Sequence, residues 1–188
     1  MELLAPAGSR QALTAAVQSG ADAVYLGGPQ FGARYSAENF TIEEMKTWVD
    51  YCHLYGVDVH VTVNTLVKEK EIESLKEYLK QLNKIGVDAL IVQDMGAVEI
   101  IKKTVPDMTL HASTQMTVTS LEGVKYLEDM GFSRVVLARE LSEKEIEHIC
   151  KNAKAEIEVF VHGAICICYS GQCLMSSILG GRSGNRGR

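Results

Sequence analysis

Short apolar runs alternate with amphipathic segments along almost the whole chain. Seven runs have the composition of buried strands and lie at 3–5, 23–26, 57–63, 89–92, 108–112, 134–138 and 157–161. Between them are segments with helical spacing of apolar residues, at 9–18, 41–55, 68–85, about 96–105, about 120–130 and 142–152. This order predicts a strand–helix unit that repeats through the chain.

Capping signals mark the boundaries of the predicted helices. Thr41 is followed three residues later by Glu44, which is the spacing of a capping box. Ser9 and Ser142 are suited to cap the first and the last helix. Glycines that follow four of the helices predict where they end, namely Gly20, Gly56, Gly86 and Gly131.

Strands that are apolar on both faces and joined by helices predict a parallel sheet. Such a sheet either stays open and doubly wound or closes into a barrel, and the uniform glycine spacing favours a TIM-like (β/α) barrel. Eight strands complete a barrel of this type. We therefore expect an incomplete barrel with seven of eight strands, whose open edge is exposed or covered by a second copy. We assign the barrel units to 1–163 and a Cys-, Gly- and Arg-rich segment to 164–188, which we expect to continue into a longer protein.

Charge and composition narrow the class of protein. The formal net charge of −5 argues against a general affinity for nucleic acid, although a local basic patch is compatible with it. No apolar run approaches the roughly 20 residues of a membrane-spanning helix, and the N-terminus lacks the features of a signal peptide. Three of the five cysteines lie close together, which does not suit a secreted disulfide framework. These features predict a soluble, cytoplasmic protein.

Polar residues that follow the predicted strands are candidates for an active site, because barrels of this type bind substrates at the carboxyl ends of their strands. The candidate substrate-binding residues are Asn64, His111, Ser113, Gln115, Arg139, Glu140 and His162. Each of these residues, taken singly, could also be an ordinary polar residue at the start of a loop. His60 lies in the middle of its strand and is predicted to be a core or inter-layer histidine.

Three cysteines within eight positions make the C-terminal segment the most informative part of the chain. Cys166, Cys168 and Cys173 could bind zinc with His162 as a fourth ligand, or they could contribute to an iron–sulfur cluster. Their spacing is not that of common zinc ribbons or ferredoxins. Burial as small hydrophobic residues is the remaining alternative.

The last nine residues, GGRSGNRGR, are rich in glycine and arginine. Arg182, Arg186 and Arg188 could bind an anion or phosphate, although the order of a P-loop is missing and a flexible tail is equally compatible. Neither HExxH nor GxSxG occurs. Ser170 and Cys166 are conceivable nucleophiles, but the sequence places no base beside either one.

Four motifs resemble peptidase family U32, the collagenase-like peptidases. They are MELLAPAG at 1–8, GADAVY at 20–25, HASTQ at 111–115 and the run at 158–188. The last of these is similar to the family signature and is highly specific. The resemblance covers the whole chain and places it in the N-terminal barrel part of longer members.

The resemblance implies a function that composition and spacing do not. Members of the family have been called proteases without an assigned catalytic type, and others take part in oxygen-independent hydroxylation of RNA bases or ubiquinone precursors. The latter carry a 4Fe–4S cluster on four cysteines, and the RNA-directed members use a prephenate-type donor. Cys166 and Cys173 match the first two ligands, with the others expected beyond residue 188. Cys168 departs from the family pattern, which leaves its role as a ligand open.

Three functions compete on this basis. The leading hypothesis is an RNA-modifying hydroxylase acting on tRNA or rRNA, with an iron–sulfur cluster and a small carboxylate metabolite near Arg139, His111 or His162. In this hypothesis the arginines Arg182, Arg186 and Arg188 hold RNA phosphate. The second hypothesis is a collagenase-like peptidase with a peptide substrate. The third is a barrel that docks a partner without being an enzyme.

Overall fold

A curled sheet of seven parallel strands forms the centre of the structure. The computed structural model describes residues 1–33, 38–163, 166–175 and 178. Within this part of the chain, the strands are β1 (Leu4–Pro6), β2 (Ala23–Gly27), β3 (Asp58–Val63), β4 (Ala89–Val92), β5 (Thr109–Ala112), β6 (Arg134–Val136) and β7 (Glu156–Glu158). All neighbouring pairs are parallel, as the apolar runs predict.

The strand order β1-β2-β3-β4-β5-β6-β7 follows the chain without reversal. A doubly wound sheet has a point at which the strand order reverses, so the open alternative is wrong. Strong curvature is also required by one contact, because Glu2 beside β1 bonds to Arg134 on β6 at 2.6 Å. Five strand spacings would separate these strands by about 24 Å in a flat sheet, beyond the reach of two side chains. The fold is therefore a partial TIM-like barrel.

Six α-helices cover the outside of the sheet in the described residues. They are α1 (Arg10–Gln18), α2 (Ile42–Leu54), α3 (Ile72–Ile85), α4 (Met95–Thr104), α5 (Leu121–Asp129) and α6 (Glu143–Asn152). The predicted capping box is present at α2, where Thr41 and Glu44 exchange hydrogen bonds of 3.0 and 3.2 Å. Gly86 ends α3 at a φ of +84°, which glycine adopts without strain. No described helix is long and apolar enough to cross a membrane.

Alternate strand residues face opposite sides of the sheet. One set faces the helices and forms the apolar core, including Val24, Leu26, Val59, Val61, Val63, Leu90, Val92, Leu110 and Val135. The other set faces the inside of the barrel and is more polar. It includes His60, His111, Arg134 and Glu158, and these groups determine the electrostatics of the interior.

The seventh strand is shorter than the apolar run predicts. The run indicated a strand to residue 161, but β7 ends at Glu158, and Phe160 and Val161 are exposed. The cause lies in the neighbouring strand. Leu137 donates the last ladder hydrogen bond to Glu158 O at 3.0 Å, and the next amide that faces β7, that of Arg139, bonds instead to Ser170 Oγ at 3.2 Å. Without a partner, the backbone after Glu158 leaves the sheet.

Candidate active site

The carboxyl ends of the parallel strands meet at one end of the barrel, here called the mouth. The loops after β3, β4, β5 and β6 bring Asn64, Gln93, Gln115 and Arg139 to this end. In barrels of this type, the loops at this end build the active site. The mouth is therefore the first place to examine for chemistry.

Two of the predicted residues are used by the loops themselves. Asn64 accepts a hydrogen bond from the Ala33 amide at 3.0 Å. Ser113 is buried and accepts one from the Gln115 amide at 3.2 Å. These side chains fix the loop conformations, and their oxygens are already engaged.

Two carboxamide groups at the mouth have unused hydrogen-bonding capacity. The Oε1 atoms of Gln93 and Gln115 are buried and have no hydrogen-bond partner among the described residues. A buried polar atom without a partner is costly in a folded protein, so such atoms commonly bind water or a ligand. Gln93 was not among the predicted site residues, whereas Gln115 was.

Two histidines contact each other inside the barrel, below the mouth. His60 and His111 are 3% and 4% exposed, and their rings lie edge to face at a centroid distance of 4.7 Å. Burial lowers the pKa of His111 to about 3, with smaller contributions from His60 and Arg134. Burial also lowers the pKa of His60. Both rings are therefore neutral near pH 7, and His60 is buried inside the barrel, as its position in the middle of a strand predicts.

Four charged residues at the opposite end of the barrel form what we call the floor cluster: Glu2, Arg134, Glu156 and Glu158. Arg134 is 8% exposed and binds Glu2 through two hydrogen bonds of 2.6 Å. It also donates to Glu156 at 2.9 and 2.5 Å, and Glu158 lies 3.7 Å away. Hydrogen bonding to Arg134 lowers the pKa of Glu2, whereas burial raises that of Glu158 to about 7.

Arg139 and Glu140 at the mouth hold the described part of the C-terminal segment, residues 166–175, here called the cysteine segment. Arg139 donates from its backbone amide and from Nε to Ser170 Oγ, both at 3.2 Å. Glu140 accepts hydrogen bonds from the Ser170 amide at 2.9 Å and from its hydroxyl at 3.3 Å. Ser170 is 1% exposed. The Glu140 carboxylate therefore lies beside this serine. Because the serine is buried, a peptide substrate cannot reach its hydroxyl group.

The three clustered cysteines are close to one another at the mouth. The neighbouring thiols of Cys173 and Cys166 raise the pKa of Cys168, and the effect of Cys173 is the larger. Cys166 is exposed, and the other two are half-buried, so burial as hydrophobic residues does not describe them. The described residues contain no group of three or more His, Cys, Asp or Glu side chains arranged around a metal position. The zinc site with His162 is thus not assembled among them.

The remaining predicted residues lie apart from this arrangement or beyond it. His162 is exposed and follows the end of β7. The phosphate-binding candidates Arg182, Arg186 and Arg188 lie outside the described residues. Cys52, by contrast, is fully buried on α2, and burial raises its pKa to about 11, which makes it an unreactive core residue.

Sequence reasoning missed residues whose roles depend on distant partners. Glu156 and Glu158 alternate with Ile157, and this period of two could have placed both carboxylates on one face of β7. Arg134 at the start of an apolar run is a similar signal. The sequence gives no such signal for Ser170, because its partners Arg139 and Glu140 lie about thirty residues earlier in the chain.

Proteins of known name match the chain from end to end. It is 46% identical over 187 residues to the 23S rRNA 5-hydroxycytidine C2501 synthase of Escherichia coli, covering 100% of this chain and 28% of that protein. It is 41% identical over 186 residues to the tRNA hydroxylation protein P1 of Bacillus subtilis, covering 99% and 44%. A collagenase of Porphyromonas gingivalis is 33% identical over 199 residues, covering 99% and 47%. The chain spans less than half the length of each of these relatives.

A solved structure supports the fold. The U32 peptidase Mk0906 superposes with a TM-score of 0.73 over 89% of this chain and 70% of that one, at 21% identity. The model of the family described as Peptidase family U32 matches residues 8–188. The chain therefore belongs to peptidase family U32.

Proposed function

We propose that this protein takes part in the oxygen-independent hydroxylation of a base in tRNA or rRNA. In this proposal an iron–sulfur cluster of the 4Fe–4S type is the resident cofactor, and a small carboxylate metabolite of the prephenate type donates the hydroxyl group. The observation that carries the proposal is the segment with three cysteines held at the barrel mouth, where Arg139 donates to the Cys168 carbonyl, in a chain matched along its length by proteins named for RNA hydroxylation.

The donor set suits the proposed cofactor in its chemistry but is incomplete by itself. Thiolates are the usual ligands of iron–sulfur clusters, and four of them are the common number. Cys166 and Cys173 would hold the cluster, with Cys168 as a third thiol in contact with both or as a substitute ligand. A cluster of this type would need further ligands in addition to these thiols. A bound cluster would supply electron transfer.

The mouth offers groups for a small polar ligand above the histidine pair. Gln93 and Gln115 each present a buried oxygen without a partner in the described structure. His111 is neutral near pH 7, so it can exchange a hydrogen bond but cannot supply a positive charge to a carboxylate. Arg139 is the cationic candidate at the mouth. The arginines Arg182, Arg186 and Arg188 remain the candidates for RNA phosphate.

Reconstitution tests the cofactor. The full-length protein, treated anaerobically with ferrous iron and sulfide, is expected to develop broad visible absorbance. A double variant, Cys166→Ala/Cys173→Ala, should lose it, whereas Cys150→Ala on the exposed face of α6 should keep it. A colourless, iron-free product from the unaltered protein would overturn the proposal.

Nucleoside analysis tests the substrate class. RNA from cells without the intact gene should lack one hydroxylated nucleoside that mass spectrometry finds in the parent strain. Complementation with the unaltered gene should restore it, and the Cys166→Ala/Cys173→Ala variant should not. Identical nucleoside profiles in all strains would contradict a role in RNA hydroxylation.

The alternative, a collagenase-like peptidase, is favoured by one relative that carries that name at 33% identity. It predicts that the purified, iron-free protein cleaves gelatin. Activity that separates from the protein during chromatography would exclude this alternative. The burial of Ser170 already removes one of its two candidate nucleophiles.

A further inference from the structure

Ser170 is the only buried residue of the cysteine segment among residues 166–175. Its neighbours are strongly exposed, with Ile167 at 96%, Tyr169 at 70% and Leu174 at 68%. Apolar packing therefore does not hold this part of the segment. Its position depends on the polar contacts around Ser170.

These contacts come from two loops of the barrel. From the loop after β6, Arg139 and Glu140 engage the Ser170 hydroxyl and amide at distances of 2.9–3.3 Å. From the loop after β5, the Thr117 hydroxyl donates to Ser170 O at 2.7 Å. The amide, hydroxyl and carbonyl of one residue are thus all paired with the mouth.

The next residue allows the close approach. Gly171 has a φ of +72°, and a Cβ atom built on it would lie 2.2 Å from the backbone oxygen of Gln115. Any side chain would both strain the backbone and collide with the loop after β5. Ser170 and Gly171 together therefore fix the cysteine segment against two strand ends.

The same contacts reach the thiol-bearing residues on either side. Arg139 Nη2 donates to the Cys168 carbonyl at 3.3 Å. Gln172, directly before Cys173, donates to the Thr117 hydroxyl at 3.4 Å. Cys168 lies two residues before Ser170 and Cys173 three residues after it, and the pKa of Cys168 is raised mainly by Cys173.

We propose that Ser170, held between Arg139 and Glu140, is a positioning residue that sets the mutual placement of the Cys166, Cys168 and Cys173 thiols at the barrel mouth. Its relevance to a cofactor rests on the proposed function. The placement of the thiols in the unloaded protein, which has no cluster bound, is independent of the proposed function. Ser170 contacts no reacting atom in this proposal, and it acts through the backbone of the segment.

Thiol alkylation of the unloaded chain tests the positioning directly. Ser170→Ala removes the hydroxyl contacts, and the loss of one such hydrogen bond favours local opening by about tenfold. Iodoacetamide, followed by peptide mass spectrometry, should then modify Cys168 and Cys173 about tenfold faster than in the unaltered chain. Cys150 on α6 is the internal reference and should react at an unchanged rate.

Two further variants keep the test decisive. Gly171→Ala introduces the collision with Gln115 and should accelerate the same two thiols at least as much. Ser74→Ala, which removes an exposed serine bonded to Gln30 on the far side of the mouth, should change nothing. Unchanged alkylation rates at Cys168 and Cys173 in both Ser170→Ala and Gly171→Ala would overturn the proposal.

A spectroscopic measurement on the reconstituted full-length protein links the positioning to the cofactor. Ser170→Ala should bind less iron per chain than the unaltered protein or give a shifted electron paramagnetic resonance signal. A spectrum and iron content identical to those of the unaltered protein would show that Ser170 does not position cluster ligands. If the unaltered protein takes up no iron, the proposed function fails, while the alkylation result still decides the role of Ser170.

Discussion

The two ends of the barrel are held together by different chemistry. At the floor cluster, one buried arginine binds carboxylates through charge-assisted hydrogen bonds of 2.5–2.9 Å. At the mouth, Ser170 is held mainly by longer bonds, and a single carboxylate takes part. The comparison places the strong, fixed interactions at the end where barrels derive stability and the weaker ones at the end where they perform chemistry.

The strongest test of this comparison removes the arginine of the floor. Arg134→Met leaves the carboxylates of Glu2 and Glu156 without their cation, and we expect the free energy of unfolding to fall by about 3 kcal/mol. Urea denaturation followed by circular dichroism measures it. A loss below about 1 kcal/mol would mean that the floor cluster does not hold the sheet in its curled form.

The second test uses the unusual carboxyl group of the floor. The raised pKa of Glu158, about 7, means that the folded protein keeps a proton between pH 4.5 and 7 that the unfolded chain has released. Its contribution to stability is therefore present at low pH and is lost as pH rises through this window. Glu158→Gln should match the unaltered protein at pH 5 and exceed it by about 2 kcal/mol at pH 8.

The difference in unfolding free energy between Glu158→Gln and the unaltered protein isolates the effect of Glu158. His111 has its pKa lowered to about 3, so its contribution runs in the opposite direction and increases as pH rises from 3 to 6.5. Subtracting the two denaturation curves at each pH removes this common part. Parallel curves from pH 5 to 8 would contradict the buried, protonated state of Glu158.

The third test makes the same substitution at the mouth. Arg139→Met removes hydrogen bonds of 3.2 and 3.3 Å from an exposed arginine to uncharged oxygens. We expect the free energy of unfolding to fall by about 1 kcal/mol or less. Urea denaturation under the conditions used for Arg134→Met gives the comparison directly, and equal losses would erase the distinction between the two ends.

The smallest expected effect belongs to an ion pair outside both regions. Lys46 and Asp50 lie one turn apart on α2, with side chains 51% and 61% exposed. Lys46→Ala should lower the free energy of unfolding by about 0.3 kcal/mol, because such pairs are solvated and screened. Thermal denaturation at low salt and at roughly 1 M salt should show that the difference in stability between the variant and the unaltered protein disappears at the higher concentration.

The sequence predicted the fold well because local signals determine it. Apolar runs, the Thr41 capping box and glycines such as Gly86 each act within a few residues, and the structure confirms the elements they predict. The predicted end of β7 was wrong, because the length of this strand depends on where the neighbouring strand leaves the sheet. The roles of Arg134 and Ser170 could not be predicted, since each is defined by partners brought together only after folding.

The pairing of Glu2 with Arg134 also bears on the order in which the chain acquires its structure. These residues are 132 positions apart, so Glu2 is synthesised long before the arginine that binds it. At synthesis rates of about 5–20 residues per second, that delay is roughly 7–26 s. During this interval the earlier strand–helix units can pair locally, but the contact between Glu2 and Arg134 is not yet available to hold the curled sheet. The contact between Glu2 beside β1 and strand β6 can thus form only after β6 has been synthesised.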